Sequence, residues 1–476
     1  MHLMVQAVGA PAWCMFEERW EIKSKTIIND LTTGNITVKL LAFAWPFMLA
    51  NMLQVAYNLV DMVIIGQFVG KTGLTAVSNG GEITALMTFV GMGFSQAAQV
   101  IVSQLVGQKD YPAVNKAVGN FWTFLALMSV VMTTIGLLIA RTVIGIMNVP
   151  AEAYDEAVAY CTVCICGIFF IFGYNAVAAV LRGMGDSVRP LVFIAMSAAV
   201  NLVLDLLFVG GFGMGAFGAA LATIIGQAVS FVTSMAYLYV KREEFCFDFK
   251  PGSFALDQRS MGVLLRLGVP MSLQSCSVLL SKMFVKSYIN SYGLVISAID
   301  SVGARIGQTA MIVTGAISAA ATSMIGQNIG AKDFRRVHQT IWLCLAFGVP
   351  FVMILAGIVA VTPEGVFGLF TSDGEVLGLC HIYVPVVALN FLGFAIRGPM
   401  MALVNGVGHS KLSMTIGVLD GIVCRVLFAL FLGKYMGLGY LGFWFGDVCA
   451  SQLPFFIGGA YYLSGRWKRF RLFGAA

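Results

Sequence analysis

Apolar runs of about 20 residues, the length that a bilayer core asks of a helix, recur from residue 40 to residue 463 and are parted by short polar segments. The pattern predicts spans at 40–66, 81–106, 117–140, 157–181, 190–211 and 214–240. A second set follows at 263–289, 302–329, 339–360, 379–403, 411–433 and 438–463. Every backbone group inside lipid needs an internal partner, so spans this apolar are expected to be helices. A membrane barrel would show ten-residue segments of alternating polarity, and the chain has none. The fold class that follows is an all-α membrane protein of twelve transmembrane helices. Its longest interior polar stretch, KREEFCFDFKPGSFALDQRS, falls at the middle. The expected division is a cytoplasmic N-terminal tail (1–38), a six-helix lobe (39–240), a cytoplasmic connector (241–262), a second six-helix lobe (263–463) and a basic tail (464–476).

The two lobes repeat one another at an offset of 223–224 residues. LLAFAWP (40–46) aligns with LLRLGVP (264–270), setting Pro46 over Pro270. SQLVGQKDY (103–111) aligns with GQNIGAKDF (326–334), setting Gly107, Lys109 and Asp110 over Gly330, Lys332 and Asp333. RGMGDS (182–187) matches NGVGHS (405–410), and MGAFG (214–218) matches LGYLG (438–442). Each unit has an even number of spans, so the copies run parallel, related by an axis along the membrane normal. A substrate path is then expected between them, and rocking of the two halves is the expected motion. Pro46 and Pro270 each remove a backbone donor from a first helix and permit it to bend.

Charge orients the chain. Loops on the N-terminal side hold twenty of the 29 basic residues, against three (Lys71, Arg141 and Lys434) on the other side. The excess puts both termini in the cytoplasm, and it accounts for the net charge of +6 without a nucleic-acid partner, for which a basic stripe with interleaved aromatics is absent. Only 11% of the 476 residues are charged and mean hydropathy is +0.87. The first twenty residues lack the basic start and apolar core of a signal peptide and read as a poorly ordered tail. The ten cysteines form no disulfide framework, and the Cys161–Cys164–Cys166 cluster lacks partners for zinc. GGFGMGAFGAA has no G-K-[ST] ending and reads as close helix packing. No cofactor is expected, so transport energy must come from an ion gradient.

A carboxylate within a span costs a few kcal/mol and needs a compensating role. Gln54, Tyr57, Asn58 and Asp61 share one face of the first helix by their spacing, which makes Asp61 an ion or proton site with Gln54, Tyr57 and Asn58 as substrate-cavity candidates. The bland alternative is a polar seam between helices. Asn201 and Asp205, four apart, share a face of the fifth span. Counting 1.5 Å per residue, Asp61, Asp205 and Thr223 lie roughly 10, 9 and 14 Å below the outer ends of their spans. Oxygen ligands at such depth suit a hard cation, and two close carboxylates suit a shared proton; the sequence does not choose between H+ and Na+. In the second lobe Asp61, Asn201 and Asp205 become Val285, Cys424 and Phe428, and only Thr223 keeps a ligating counterpart, Asp447. Lys282, Lys286, Asp420 and Asp447 are that lobe's candidates, with Arg397 and Arg425. They serve either substrate contact or buried charge pairs, Asp420 with Arg425 or Lys286 with Asp447. Coupling is thus expected in the first lobe.

The G-Q-x-x-G-A-K-D-type loop after the second span of each half, RGMGDSVRP after the fourth span, NLVLDLLF in the fifth and the P-x-x-L…D-M-V-I-I-G helix together resemble multidrug and toxic compound extrusion (MATE) transporters. The resemblance covers about residues 40–463 and looks nearest to the prokaryotic DNA-damage-inducible F branch. The branch with a carboxylate in the seventh span is not matched, since that span carries Lys282 and Lys286. The resemblance implies cation-coupled export, by a multi-pass protein of the bacterial cytoplasmic membrane, of amphipathic and often cationic organic compounds. It assigns the coupling ion to Asp61, Asn201, Asp205 and Thr223, and small organic molecules and lipid are the partners of what is expected to be a monomer. A lipid-linked saccharide flippase of the same superfamily is the alternative; it predicts about fourteen spans and a strongly basic cavity. An intramembrane enzyme would need a His-Glu zinc helix or a G-x-G-D pair, and neither is present.

Overall fold

The computed structural model describes residues 28–147, 149–245, 247–470 and 472. The expected loose tail falls mostly on residues 1–27, outside the described residues, as do the basic residues Arg19, Lys23, Lys25 and Arg471. Twelve helical spans follow. In the first lobe they are α1 (Ile36–Phe68), α2 (Lys71–Gln108), α3 (Tyr111–Ile146), α4 (Ala151–Cys166 and Ile168–Gly183), α5 (Val188–Gly211) and α6 (Gly215–Val240). In the second they are α7 (Gln258–Asn290), α8 (Leu294–Gly330), α9 (Phe334–Val361), α10 (Cys380–Val407), α11 (Ser410–Tyr435) and α12 (Tyr440–Ser451 and Leu453–Leu463). Ten of these helices are long and apolar enough to cross a membrane unbroken. α4 bends by 47° at Gly167, where a Cβ would overlap the side chain of Ile224 on α6. α12 breaks just before Pro454, which removes a backbone donor at the start of its second segment.

Loop motifs that repeat in sequence build the same turn twice. Lys109 and Lys332 end α2 and the α8 turn in the left-handed region, at φ 60° and 59°. Asp110 and Asp333 then cap the next helices, accepting from Ala113 N and Arg336 N, each at 3.1 Å. A carboxylate there satisfies an orphan N–H and complements the helix dipole. Asp257 does the same for α7, accepting from Ser260 N at 2.8 Å, a bond that holds its carboxyl below the usual range. The connector is not slack. Phe245, Phe247, Phe249 and Phe254 gather around Trp122 of α3, and Thr123 Oγ1 donates to the Phe254 carbonyl at 2.8 Å.

The first helix of each lobe plants its terminal half in the other lobe. Leu40, Phe43 and Phe47 of α1 lie in one apolar cluster with Met324, Ile325 and Leu403, whereas its far half, at Ile64 and Ile65, packs on Val209 and Ala219 of α5 and α6. In the same way Leu264, Leu267 and Met271 of α7 join the first lobe's core. Pro46 and Pro270 sit inside these exchanged stretches, and neither breaks its helix.

α2 and α8 cross at the centre, close to the side that carries both described termini. Gly107 faces the Gln327 carbonyl and Gly330 the Gln104 carbonyl; a Cβ at either would collide with backbone. Gln104 Nε2 donates to the carbonyls of Gly406 and Val407 at 2.8 and 2.9 Å, and Gln327 Nε2 donates to Gly183 O at 3.2 Å. These are repeat-equivalent bonds. A strap, residues 29–34, completes the seam: Leu31 N donates to Gln327 Oε1 at 2.8 Å, Asn29 Nδ2 to Gly185 O at 3.0 Å, and Arg336 to the carbonyls of Gly34, Leu31 and Thr33. The inter-lobe side-chain hydrogen bonds of the described residues run from this seam only as far as Ser272 Oγ on Val90 O, at mid-depth. Beyond that level the lobes part.

Candidate functional site

α5 carries Asn201 and Asp205 one turn apart, and Asn201 Nδ2 donates to Asp205 Oδ2 at 3.0 Å. Both are buried, Asp205 with 1% exposure. The helix passes into a π turn, Leu206–Gly211, directly after Asp205, a local widening often found at functional positions. Gly226 of α6 lets Asn201 pack against that helix, and Thr223 lies half-buried one turn away. Across from them, Asp61 of α1 brings its carboxyl directly against that of Asp205. Oδ1 of Asp61, Oδ1 of Asp205 and Oδ1 of Asn201 are all buried without a hydrogen-bond partner.

Three orphaned oxygens, two of them from carboxyl groups, are a costly arrangement in an apolar surround. Two ways of relieving it exist: a proton shared between the carboxyls, or a hard cation among the oxygens. No Lys or Arg of the described residues forms an ion pair with either aspartate.

Tyr160 of α4 lies within electrostatic reach of both aspartates, with Cys164 one turn along. One turn toward the far side, Glu156 keeps Oε2 buried and unpartnered. Neither was picked out by the spacing of polar residues, because a tyrosine in an apolar span looks ordinary. Its repeat mate is Tyr383, and that alignment was the available signal.

Of the three cavity candidates on α1, only Gln54 borders the cavity between the lobes, which encloses about 650 Å³. Tyr57 is half-buried and Asn58 is exposed, and neither lines it. The shared helix face is real, but the lobes diverge past the level of Gln54 and no longer enclose a common space there. The cavity draws instead on α2, α4, α7, α8 and α10, with Gln96, Asn175, Gln274 and Asn405 among its polar walls. Arg182 also lines it. The sequence placed that residue in a loop, whereas it occupies the last turn of α4.

The second lobe handles charge differently. Arg425, fully buried, donates to Asp420 at 2.8 Å, to Ser451 Oγ at 3.1 Å and to Asp447. Asp420 and Arg425 are five apart, a spacing that an α-helix puts on different faces. The π turn Leu419–Cys424 brings them together. The expected Lys286–Asp447 pair is not made, because Asp447 is taken by Arg425. Lys282 and Lys286 instead line a separate cavity of about 280 Å³ with Asp300, Asp447 and Tyr383, and Tyr383 donates its hydroxyl to Asp300 at 3.2 Å.

A family model described as MatE matches the chain twice, over residues 46–207 and 270–431, which reproduces the 224-residue repeat. The chain is 29% identical to the probable multidrug resistance protein YpnP of Bacillus subtilis (strain 168), covering 93% of this chain and 98% of that one. It is 25% identical to the probable multidrug resistance protein NorM of Thermotoga maritima, covering 91% and 94%. Among solved structures, a MOP superfamily transporter from Pyrococcus furiosus superposes with a TM-score of 0.85 at 21% identity, covering 94% and 98%. A crystal structure of MATE in the bent conformation gives 0.84 at 22%, covering 93% and 96%.

Proposed function

The chain belongs to the MatE family of multi-pass multidrug transporters, and from that premise we propose that it is a cation-coupled antiporter, driven by H+ or Na+, which exports amphipathic organic compounds by alternating access. One observation carries the coupling reading: the facing carboxyls of Asp61 and Asp205, each of which, like Asn201 beside them, keeps a buried oxygen without a hydrogen-bond partner. Asp61, Asn201 and Asp205 hold the ion, with the Thr223 hydroxyl beside them. The basic excess of the loops makes the terminal side cytoplasmic, so the sealed seam closes the inner gate and the cavity is available from outside. The protein works as a monomer in a bacterial cytoplasmic membrane, both termini inside.

α1 connects ion to substrate. Asp61 and Gln54 lie seven residues apart on this helix, roughly 10 Å along its axis, and Gln54 is cavity wall. The other end of the helix is anchored in the second lobe's core around Phe43 and Phe47. An ion that relieves the Asp61–Asp205 repulsion therefore stabilises one setting of a rod that touches both substrate space and seam. By linkage, substrate must then bias ion affinity by the same factor.

Everted vesicles with sodium and pH gradients imposed separately test this. Export should follow one gradient and vanish in Asp61→Asn while the protein stays folded; undiminished gradient-driven transport by Asp61→Asn and Asp205→Asn would refute the coupling site. The orientation has its own check. A cysteine at position 250 should resist a membrane-impermeant thiol reagent in intact cells, and one at position 373 should react.

A further inference from the structure

Two guanidinium groups in the central cavity have no part in the coupling reading. Arg182 enters it from the first lobe and Arg397 from the second. The described residues form six ion pairs, and neither arginine is in any of them. Each is held over an aromatic ring of the cavity wall instead, Arg182 at 5.1 Å from the centre of Phe47 and Arg397 at 4.8 Å from that of Phe394. Nε of Arg182 is buried with no partner at all. Among the described residues that line the cavity the only carboxylate, Asp420, is already engaged by Arg425 at 2.8 Å. The remaining polar walls are neutral amides and hydroxyls.

A charged group taken into an apolar bundle is expensive unless something of opposite sign answers it. Here no carboxylate pairs with either guanidinium: Asp420 and Asp447 reach Arg397 only at longer range, and Arg425 already holds both of them. A guanidinium offers a planar fork of donors that matches the oxygens of a carboxylate, sulfonate or phosphate. An organic cation would meet two positive charges and find the Phe47 and Phe394 faces occupied. We propose that the substrate is an amphipathic anion or zwitterion whose acidic oxygens are received between Arg182 and Arg397 while its apolar body lies against the aromatic and methionine walls. The inference rests on reading this cavity as the substrate path. Soluble organic acids and lipid-linked phosphates share the required chemistry.

Full-length protein in zwitterionic nanodiscs should be titrated with three probes of similar apolar bulk: a dansylated sulfonate, farnesyl diphosphate and tetraphenylphosphonium. At least one anion should bind ten-fold or more tighter than tetraphenylphosphonium. Preference for the sulfonate marks a soluble acid as substrate, and preference for the diphosphate marks a lipid-linked one. Arg182→Gln and Arg397→Gln should each weaken the anion about ten-fold and leave the cation unchanged or tighter, with partial rescue by Arg→Lys. Tighter binding of tetraphenylphosphonium by the unmodified protein would overturn the proposal even if no variant folds. So would anion binding that ignores both substitutions. If tetraphenylphosphonium is exported along an ion gradient and the anions are not, the antiporter reading stands and this inference falls; if none of the three is exported, both fall.

Discussion

At the level of Tyr160 in the first lobe and its repeat mate Tyr383 in the second, one helical framework surrounds two kinds of buried charge. Around Tyr160, two aspartates face one another with oxygens left over and no base to answer them. Around Tyr383, Asp300 and Asp447 share space with Lys282 and Lys286, and Arg425 ties Asp447 to Asp420. The difference is one of exchangeability. A charge neutralised by a side chain is neutral in every state of the cycle. A charge that can be answered only by a mobile ion or proton changes with the solution on either side of the membrane, and so can drive a cycle. The repeat supplies the scaffold twice, and only the first copy leaves its buried carboxyls without a side-chain counter-charge.

The strongest way to break this comparison is to treat both sites alike and measure stability. Arg425→Met leaves Asp420 and Asp447 buried without a cation, and removing one partner of a buried pair typically costs about 3–5 kcal/mol. Its melting temperature in detergent should fall sharply and recover when Asp420→Asn and Asp447→Asn are added. Asp205→Asn should leave the melting temperature unchanged or raise it, since it removes a charge that lacks a counter-charge. Equal destabilisation by Arg425→Met and Asp205→Asn would erase the distinction between the lobes.

A second test uses the feature in which the lobes agree. Gln104→Ala and Gln327→Ala each strip a buried amide from the other lobe's helix end, and an unmet buried partner costs about 1–3 kcal/mol. Both should loosen the seam to a similar extent, read as faster thiol labelling of cysteines placed at the neighbouring positions 108 and 331, where a side chain is already accommodated. A disulfide between those two positions should stop transport.

The smallest effects concern the two tyrosines. Tyr383→Phe deletes the bond to Asp300 and should lower stability by about 1 kcal/mol. Tyr160→Phe should barely move stability, yet shift the apparent affinity for the coupling ion by about fivefold, roughly 1 kcal/mol, through the lost hydroxyl dipole beside the aspartates. If the phenylalanine at 383 also altered ion affinity, the second lobe would take part in coupling.

Asp61, Asn201 and Asp205 were legible in the sequence because a carboxylate within an apolar run is conspicuous and its helical spacing is simple. The repeat was legible because the turn chemistry of Gly107, Lys109 and Asp110 recurs intact at Gly330, Lys332 and Asp333. Arg182 was not, since hydropathy ends a span where charge begins, whereas α4 carries on for two more residues and brings that charge to the cavity. The helix from Lys71 to Gly80 was missed for a related reason. Its glycines and Asn79 resemble a loop, but Gly73 and Gly80 are contact points against Val69 and Tyr160, and tertiary packing overrides weak propensity. The partner of Asp447 was misread because a pairing between helices distant in sequence leaves no mark in spacing, and Arg425, expected to serve Asp420 alone, reaches both aspartates.

The strap at residues 29–34 ties the order of synthesis to the order of assembly. Its anchor, Gln327, lies 296 residues after Leu31, and Arg336 comes later still. When the first six helices leave the ribosome, every residue of the proposed ion site is already in hand. The Gly183 carbonyl and the Leu31 amide nevertheless await a glutamine not yet translated, while the apolar half of α1 around Phe43 has no core to enter. The first lobe is thus complete in its chemistry and unfinished in its surface, and contacts this distant in sequence form late. Half of this protein, made alone, would be a membrane domain with its candidate site complete and a raw edge on the side of the termini. That edge is what the second half, once inserted, exists to cover.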